Sequence, residues 1–109
     1  MSESEKYQKM AERKQWRKLQ KKMAGTKEER LMAIAACGIP YEEEACNLLI
    51  GQLTACDDRE IKLAAIQSLG LTRSLSAVEV LSWLAEDTDD ETIKSAICEA
   101  QTKIWGRKH

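Results

Sequence analysis

Four cysteines, one histidine and two acidic clusters are the side chains here with the most obvious capacity for chemistry. Cys37, Cys46, Cys56 and Cys98 form no CxxC pair, and the single histidine is His109. A zinc site wants Cys or His ligands in closely spaced pairs, so the pattern predicts reduced thiols and no metal. The cysteines then read as small hydrophobes. Cys37, Cys46 and Cys98 are expected to react slowly with a thiol reagent, and Cys56, beside Asp57, fastest. The clusters Glu42-Glu43-Glu44 and Asp87 to Glu91 fall where helices begin, and carboxylates are favoured at that end of the helix dipole. Asp87-Thr88-Asp89-Asp90 lacks the glycine and the ligand spacing of a calcium loop. The sequence has no internal histidine, nucleophile elbow or glycine-rich phosphate loop. It therefore predicts no enzyme and no cofactor.

Residues suited to binding gather at one end. Residues 1–27 carry nine cations against three acids, residues 28–102 fifteen acids against five cations, and residues 103–109 three cations, for a formal net charge of −1. Such polarity suits a partner with an acidic surface at the basic end. On one helix over 5–24, Lys9, Arg13, Arg17 and Lys21 form an i, i+4 row, and Lys14, Lys18 and Lys22 a second. Trp16, Leu19 and Met23 make the apolar stripe, while Tyr7 and Met10 fall within the basic arc and are expected to be exposed. Exposed Tyr and Met among cations suit contacts to an acidic protein, and nucleic acid is the alternative. Arg30, Lys62 and Lys94 recur every 32 residues. They are expected either to bond the acids Asp57, Asp58, Asp89 and Asp90 or to line a basic concave face. Trp83 aligns with Gly51 and reads as outer-surface packing or as an anchor for a partner. Trp105 is expected to seal the last core layer beside Ile104.

The elements that must position these residues are helices. One Pro, five Gly, no Phe and few β-branched residues argue against loops and sheets, and 32% charged with 43% hydrophobic residues is ordinary for a globular chain. Ser2-Glu-Ser-Glu5, Thr26-Lys-Glu-Glu29, Ser76-Ala-Val-Glu79 and Thr88-Asp-Asp-Glu91 fit the capping box, and Asp57-Asp-Arg-Glu60 its carboxylate version. Gly25, Gly38 and Gly70 stand where a helix end favours a left-handed residue. Pro40 marks a new start. Helices are predicted near 5–24, 27–38, 41–55, 58–70, 75–86 and 90–105, antiparallel in sequence because the connections are short. The apolar run Ala45 to Gly51 is far shorter than the roughly 18–20 residues of a membrane span. Charges in MSESEKYQKM replace the apolar core of a signal peptide. No membrane association and a cytoplasmic location are expected.

A shift of 32 residues aligns the chain on itself without a gap. Ile61-Lys62 falls on Ile93-Lys94, Gly38 on Gly70, and Leu49 on Leu81. Such a period, spanning a helix pair, marks an α-solenoid. Residues 57–100 resemble the HEAT-repeat family, in particular its short bacterial form named after phycobilisome lyases. That form reads D-x-x-[VI]-[RK]-x-x-A-x-x-A-L-G, then a polar turn and an A-V-x-x-L helix. Asp58, Ile61, Lys62, Ala65, Ser68, Leu69 and Gly70, then Ala77, Val78 and Leu81, carry the likeness. It is fair over 26–56 and only positional over 1–25. The resemblance implies an all-α fold, a short right-handed solenoid of three HEAT-like antiparallel pairs within one domain over 1–109. The units are 5–38, 41–70 and 75–105.

The resemblance specifies fold and hardly function: some relatives attach bilins and larger ones repair alkylated DNA. The basic first helix and acidic remainder are what predict a non-enzymatic protein-interaction module, an adaptor, regulator or small inhibitor, with nucleic-acid binding through the first helix as the alternative. The residues expected to meet the partner are Tyr7, Met10, Arg13, Lys14, Arg17, Lys18, Lys21, Arg30, Lys62, Lys94 and Trp83.

Overall fold

A computed structural model describes residues 2–38, 43–55, 58–72 and 75–105. Pro40, Glu42, Cys56, Asp57, Arg73, Arg107, Lys108 and His109, on which some expectations rested, lie outside them. The described residues form seven helices: α1 (Glu3–Glu12), α2 (Trp16–Met23), α3 (Lys27–Cys37), α4 (Glu43–Ala55), α5 (Arg59–Thr72), α6 (Leu75–Asp87) and α7 (Glu91–Trp105). No strand occurs among them.

The helices lie in two layers. In one, α3 packs on α1, α5 on α3 and α7 on α5; in the other, α4 meets α2 and α6 more sparsely. Within each successive pair, α2 packs on α3, α4 on α5 and α6 on α7. This is the all-α solenoid arrangement, with α1 as an extra helix laid against the flank of α3. Leu19, Ile34, Leu49, Ile61, Ile66, Leu69, Leu81 and Ile97 are fully buried between the layers.

The expected first helix over 5–24 is two helices. Lys14 adopts φ 57°. Its amide donates to Ala11 O at 3.1 Å and the Gln15 amide to Met10 O at 2.9 Å. That pair of bonds is a Schellman motif, with lysine in the left-handed place glycine usually takes. The cause is a change of phase. At 100° per residue, Tyr7 and Ala11 point about 120° away from Leu19 and Met23, so no straight helix buries both pairs. The break buries all four.

The glycines serve a purpose other than the expected one. No described glycine has a positive φ. Gly70 lies inside α5, and a Cβ there would stand 3.0 Å from Ala100 Cα. At Gly38 it would stand 3.1 Å from Ser68 Cα. These two contacts, again 32 residues apart in sequence, bring α3, α5 and α7 into close approach. Ser68 is buried there and donates to Ile34 O at 2.9 Å.

Capping follows the sequence in part. Ser2 accepts from the Glu5 amide, and Thr26 and Glu29 make the full reciprocal box. At α7 the cap is Asp90 rather than Thr88: Asp90 Oδ1 accepts from the Thr92 and Ile93 amides at 2.9 and 3.3 Å. Asp58 does the same for Glu60 and Ile61. A carboxylate nearest the helix outcompetes the hydroxyl two residues earlier because it accepts two amides and meets the dipole. Ser76 lies inside α6, which starts at Leu75, rather than at the N-cap expected of it.

Candidate interaction surfaces

Three groups of side chains bear on binding: an inter-repeat ion-pair ladder, a cationic corner and an aromatic groove. The ladder starts from the caps just described. Lys27 Nζ lies 3.2 Å from Asp58 Oδ2, and Arg59 Nε lies 2.8 Å from Asp90 Oδ2. Each cation is the first residue of one helix and each acid the cap of the next. The Lys27 ammonium, with the Ile61 amide, holds the Asp58 carboxyl below its ordinary value. Burial pushes Asp90 upward, but the Ile93 and Thr92 amides and the Arg59 guanidinium outweigh it and its carboxyl is lowered as well.

Among the described residues, Arg30, Lys62 and Lys94 make no bond to the repeat-loop acids Asp58, Asp89 and Asp90. Arg30 is half-buried and donates from Nη2 to Gln52 Oε1 on α4 at 2.9 Å, so it turns toward the other layer. Lys62 is half-buried as well. Lys94 lies 3.9 Å from Glu91 on its own helix. The spacing of 32 was sound, but the rungs start one residue after the cap.

At the α1–α2 corner, Arg13, Lys14, Arg17, Lys18 and Lys21 are exposed. Helix α2 itself contains no acid. Tyr7 and Met10 do not join this surface as expected. Tyr7 is 5% exposed and packs with Ala11 in the core, and Met10 is half-buried against it. The helix break turns their face onto α3. Burial raises the Tyr7 hydroxyl above its ordinary pKa, partly offset by Lys22. Lys22 in turn pairs with Glu29 at 3.1 Å, which removes it from the cationic face.

Trp83 is 74% exposed on α6. With Leu53, Thr54, Val80, Leu84, Glu86 and Asp87 it lines a groove of about 400 Å³ between α4 and α6. Gly51, at the matching position of the preceding repeat, has nothing within 4 Å of where a Cβ would be. Trp105, expected to seal the core, is 48% exposed; Ile104 alone is buried there. Leu71 and Leu75 are further exposed apolar residues that the sequence reading passed over, because each continues an apolar pattern.

The described cysteines are free thiols. Cys37 and Cys46 are buried, and burial pushes Cys37 up to about 12. Cys98 is exposed, against expectation: it lies on the outward side of α7, off the stripe of Ile93, Ile97, Ala100 and Ile104. No group of three or more His, Cys, Asp or Glu side chains able to hold a metal occurs among the described residues. No helix among them is long and apolar enough to cross a membrane.

A two-layer stack of helix pairs joined by a periodic ion-pair ladder defines an α-solenoid repeat protein. The family model for HEAT repeats matches residues 18–102, and the chain belongs to that family. The match begins within α2, which leaves α1 outside it. No curated protein and no solved structure matches the chain. HEAT repeats commonly mediate contacts between proteins and are typically non-enzymatic scaffolds.

Proposed function

We propose that this chain is a protein-interaction module, an adaptor or regulator, whose α1–α2 corner engages an acidic surface on another protein. The observation that carries this reading is the exposed cluster Arg13, Arg17, Lys18 and Lys21 beside a helix with no acid of its own. Like charges one turn apart repel by a few tenths of a kcal/mol per pair, a cost that an acidic partner removes. Electrostatic complementarity of this kind chiefly raises the association rate and selects the partner. The acidic remainder of the chain favours protein over nucleic acid, whose phosphates it repels.

The test compares a fluorescent glutamate-rich peptide with a random-sequence DNA duplex, using wild-type protein and the triple variant Arg17→Glu, Lys18→Glu, Lys21→Glu. All three positions are exposed, so the variant keeps its helical spectrum. The acidic peptide is expected to bind in a salt-dependent way and to be lost in the variant. Tighter binding to the duplex at moderate salt, with a steep log–log salt slope, would transfer the surface to nucleic acid. Absence of binding to either at low salt would remove the reading.

A further inference from the structure

We infer that the groove between α4 and α6 is a second docking surface, with the opposite electrostatics. Its occupant is a cationic amphipathic segment of another protein that inserts a large apolar side chain beside Trp83. Three observations converge on this chemistry, and none depends on the cationic corner.

The first is the indole itself. An aromatic side chain 74% exposed above Val80, Leu84 and Leu53 leaves apolar area in water, and Trp is the residue most often found as an interface anchor. The groove of about 400 Å³ has room for an inserted side chain.

The second is the charge of the walls. The charged side chains lining the groove are Glu86 and Asp87, and the two helices that form it, α4 and α6, contain no Lys, Arg or His.

The third is placement. Glu86 and Asp87 fall in the last turn of α6, where exposed carbonyls already form the negative end of the dipole and no basic residue compensates. Acids there oppose the helix, unlike Glu28, Glu29 or Glu91, which stand in first turns. Neither Glu86 nor Asp87 has an ion pair among the described residues. Two carboxylates, a dipole end and an indole face within one groove all favour a cation, the indole through its ring quadrupole.

The probe is a fluorescein-labelled peptide of leucine and lysine at helical spacing, with a scrambled peptide of the same composition as control. Binding is measured by anisotropy on the full chain. Wild type is expected to bind the amphipathic peptide at least tenfold more tightly than the scrambled one. Trp83→Ala and the double variant Glu86→Gln, Asp87→Asn are each expected to lose about tenfold, with unchanged circular dichroism, because all three side chains are exposed. The Arg17, Lys18, Lys21 triple variant should bind the peptide as tightly as wild type, so failure of the cationic corner and failure of this groove are read separately. Binding that survives Trp83→Ala within twofold would overturn the inference. So would a wild-type dimer in light scattering that Trp83→Ala converts to monomer, since the occupant would then be a second copy of this chain.

Discussion

Cys98 and Lys14 are the residues at which chemistry and conformation depart furthest from their neighbours. A thiolate is the reactive form of cysteine, so exposure and pKa together order the rates. Cys98 is exposed, while Cys37 is buried and raised to about 12. Timed alkylation of the native protein followed by peptide mapping is expected to label Cys98 well before Cys37 and Cys46, which should need unfolding. Equal rates would mean that the burial assignments are wrong. Lys14 holds φ 57° without the freedom of glycine. Lys14→Gly is expected to raise stability by about 0.5–1 kcal/mol, and Lys14→Val to lower it by more, as read in urea denaturation. The sequence concealed this turn because it has neither Gly nor Asn to announce it. The phase difference between Tyr7–Ala11 and Leu19–Met23 was the available signal, and treating the two halves as one helix turned Tyr7 into a false surface anchor.

Helices α5 and α7 begin with an aspartate cap and α3 with a threonine box, and the three are joined through those beginnings. Asp58 and Asp90 each cap one helix and hold the first cation of the preceding one. Both carboxyls are lowered from the ordinary 3.8. A lowered carboxyl contributes stability that is fully present above its unfolded pKa and is lost as pH falls through its folded one. The melting temperature is therefore expected to hold from neutral pH down to about 5 and to fall below about 4. In the double variant Asp58→Asn, Asp90→Asn that acid-side fall should be shallower. A titration in which wild type and variant run parallel would show that the ladder does not couple to folding. Most starts and stops of these helices were legible in the sequence because capping residues recur every 32 positions. The identity of the ion-paired cation was not: Lys62 and Arg59 both carry a positive charge, and only the direction in which each leaves the helix separates them.

Among the described residues the core is one cluster of buried, mostly aliphatic side chains that runs from α1 to α7. Ile66 is fully buried at its centre, and Ile66→Ala is expected to cost about 2–5 kcal/mol in denaturant unfolding, against a few tenths for a surface site. The family and the layered plan could be read from the 32-residue repeat, because periodic burial leaves a periodic sequence. The surfaces were less legible. Exposure at Trp83 goes with the sparse packing of α6 on α4, a tertiary spacing that no residue of α6 itself announces.

The opposite layer is drawn together at two missing side chains. At Gly38 and Gly70 one layer closes until backbones nearly touch, a Cβ at Gly70 falling 3.0 Å from Ala100 Cα. In that layer α5 packs closely on α7, while in the other α4 and α6 meet sparsely, as the ribs of a half-opened hand fan spread from the pivot, with the Trp83 groove on the spread side. If the glycines act as that pivot, a wedge placed there brings the outer ribs together and alters an exposed groove from inside the core. Gly70→Val is accordingly expected to do two things at once. It should lower stability by about 1–3 kcal/mol through overpacking, and it should narrow the groove, read as reduced acrylamide quenching of Trp83 as the single tryptophan left in a Trp16→Phe, Trp105→Phe background.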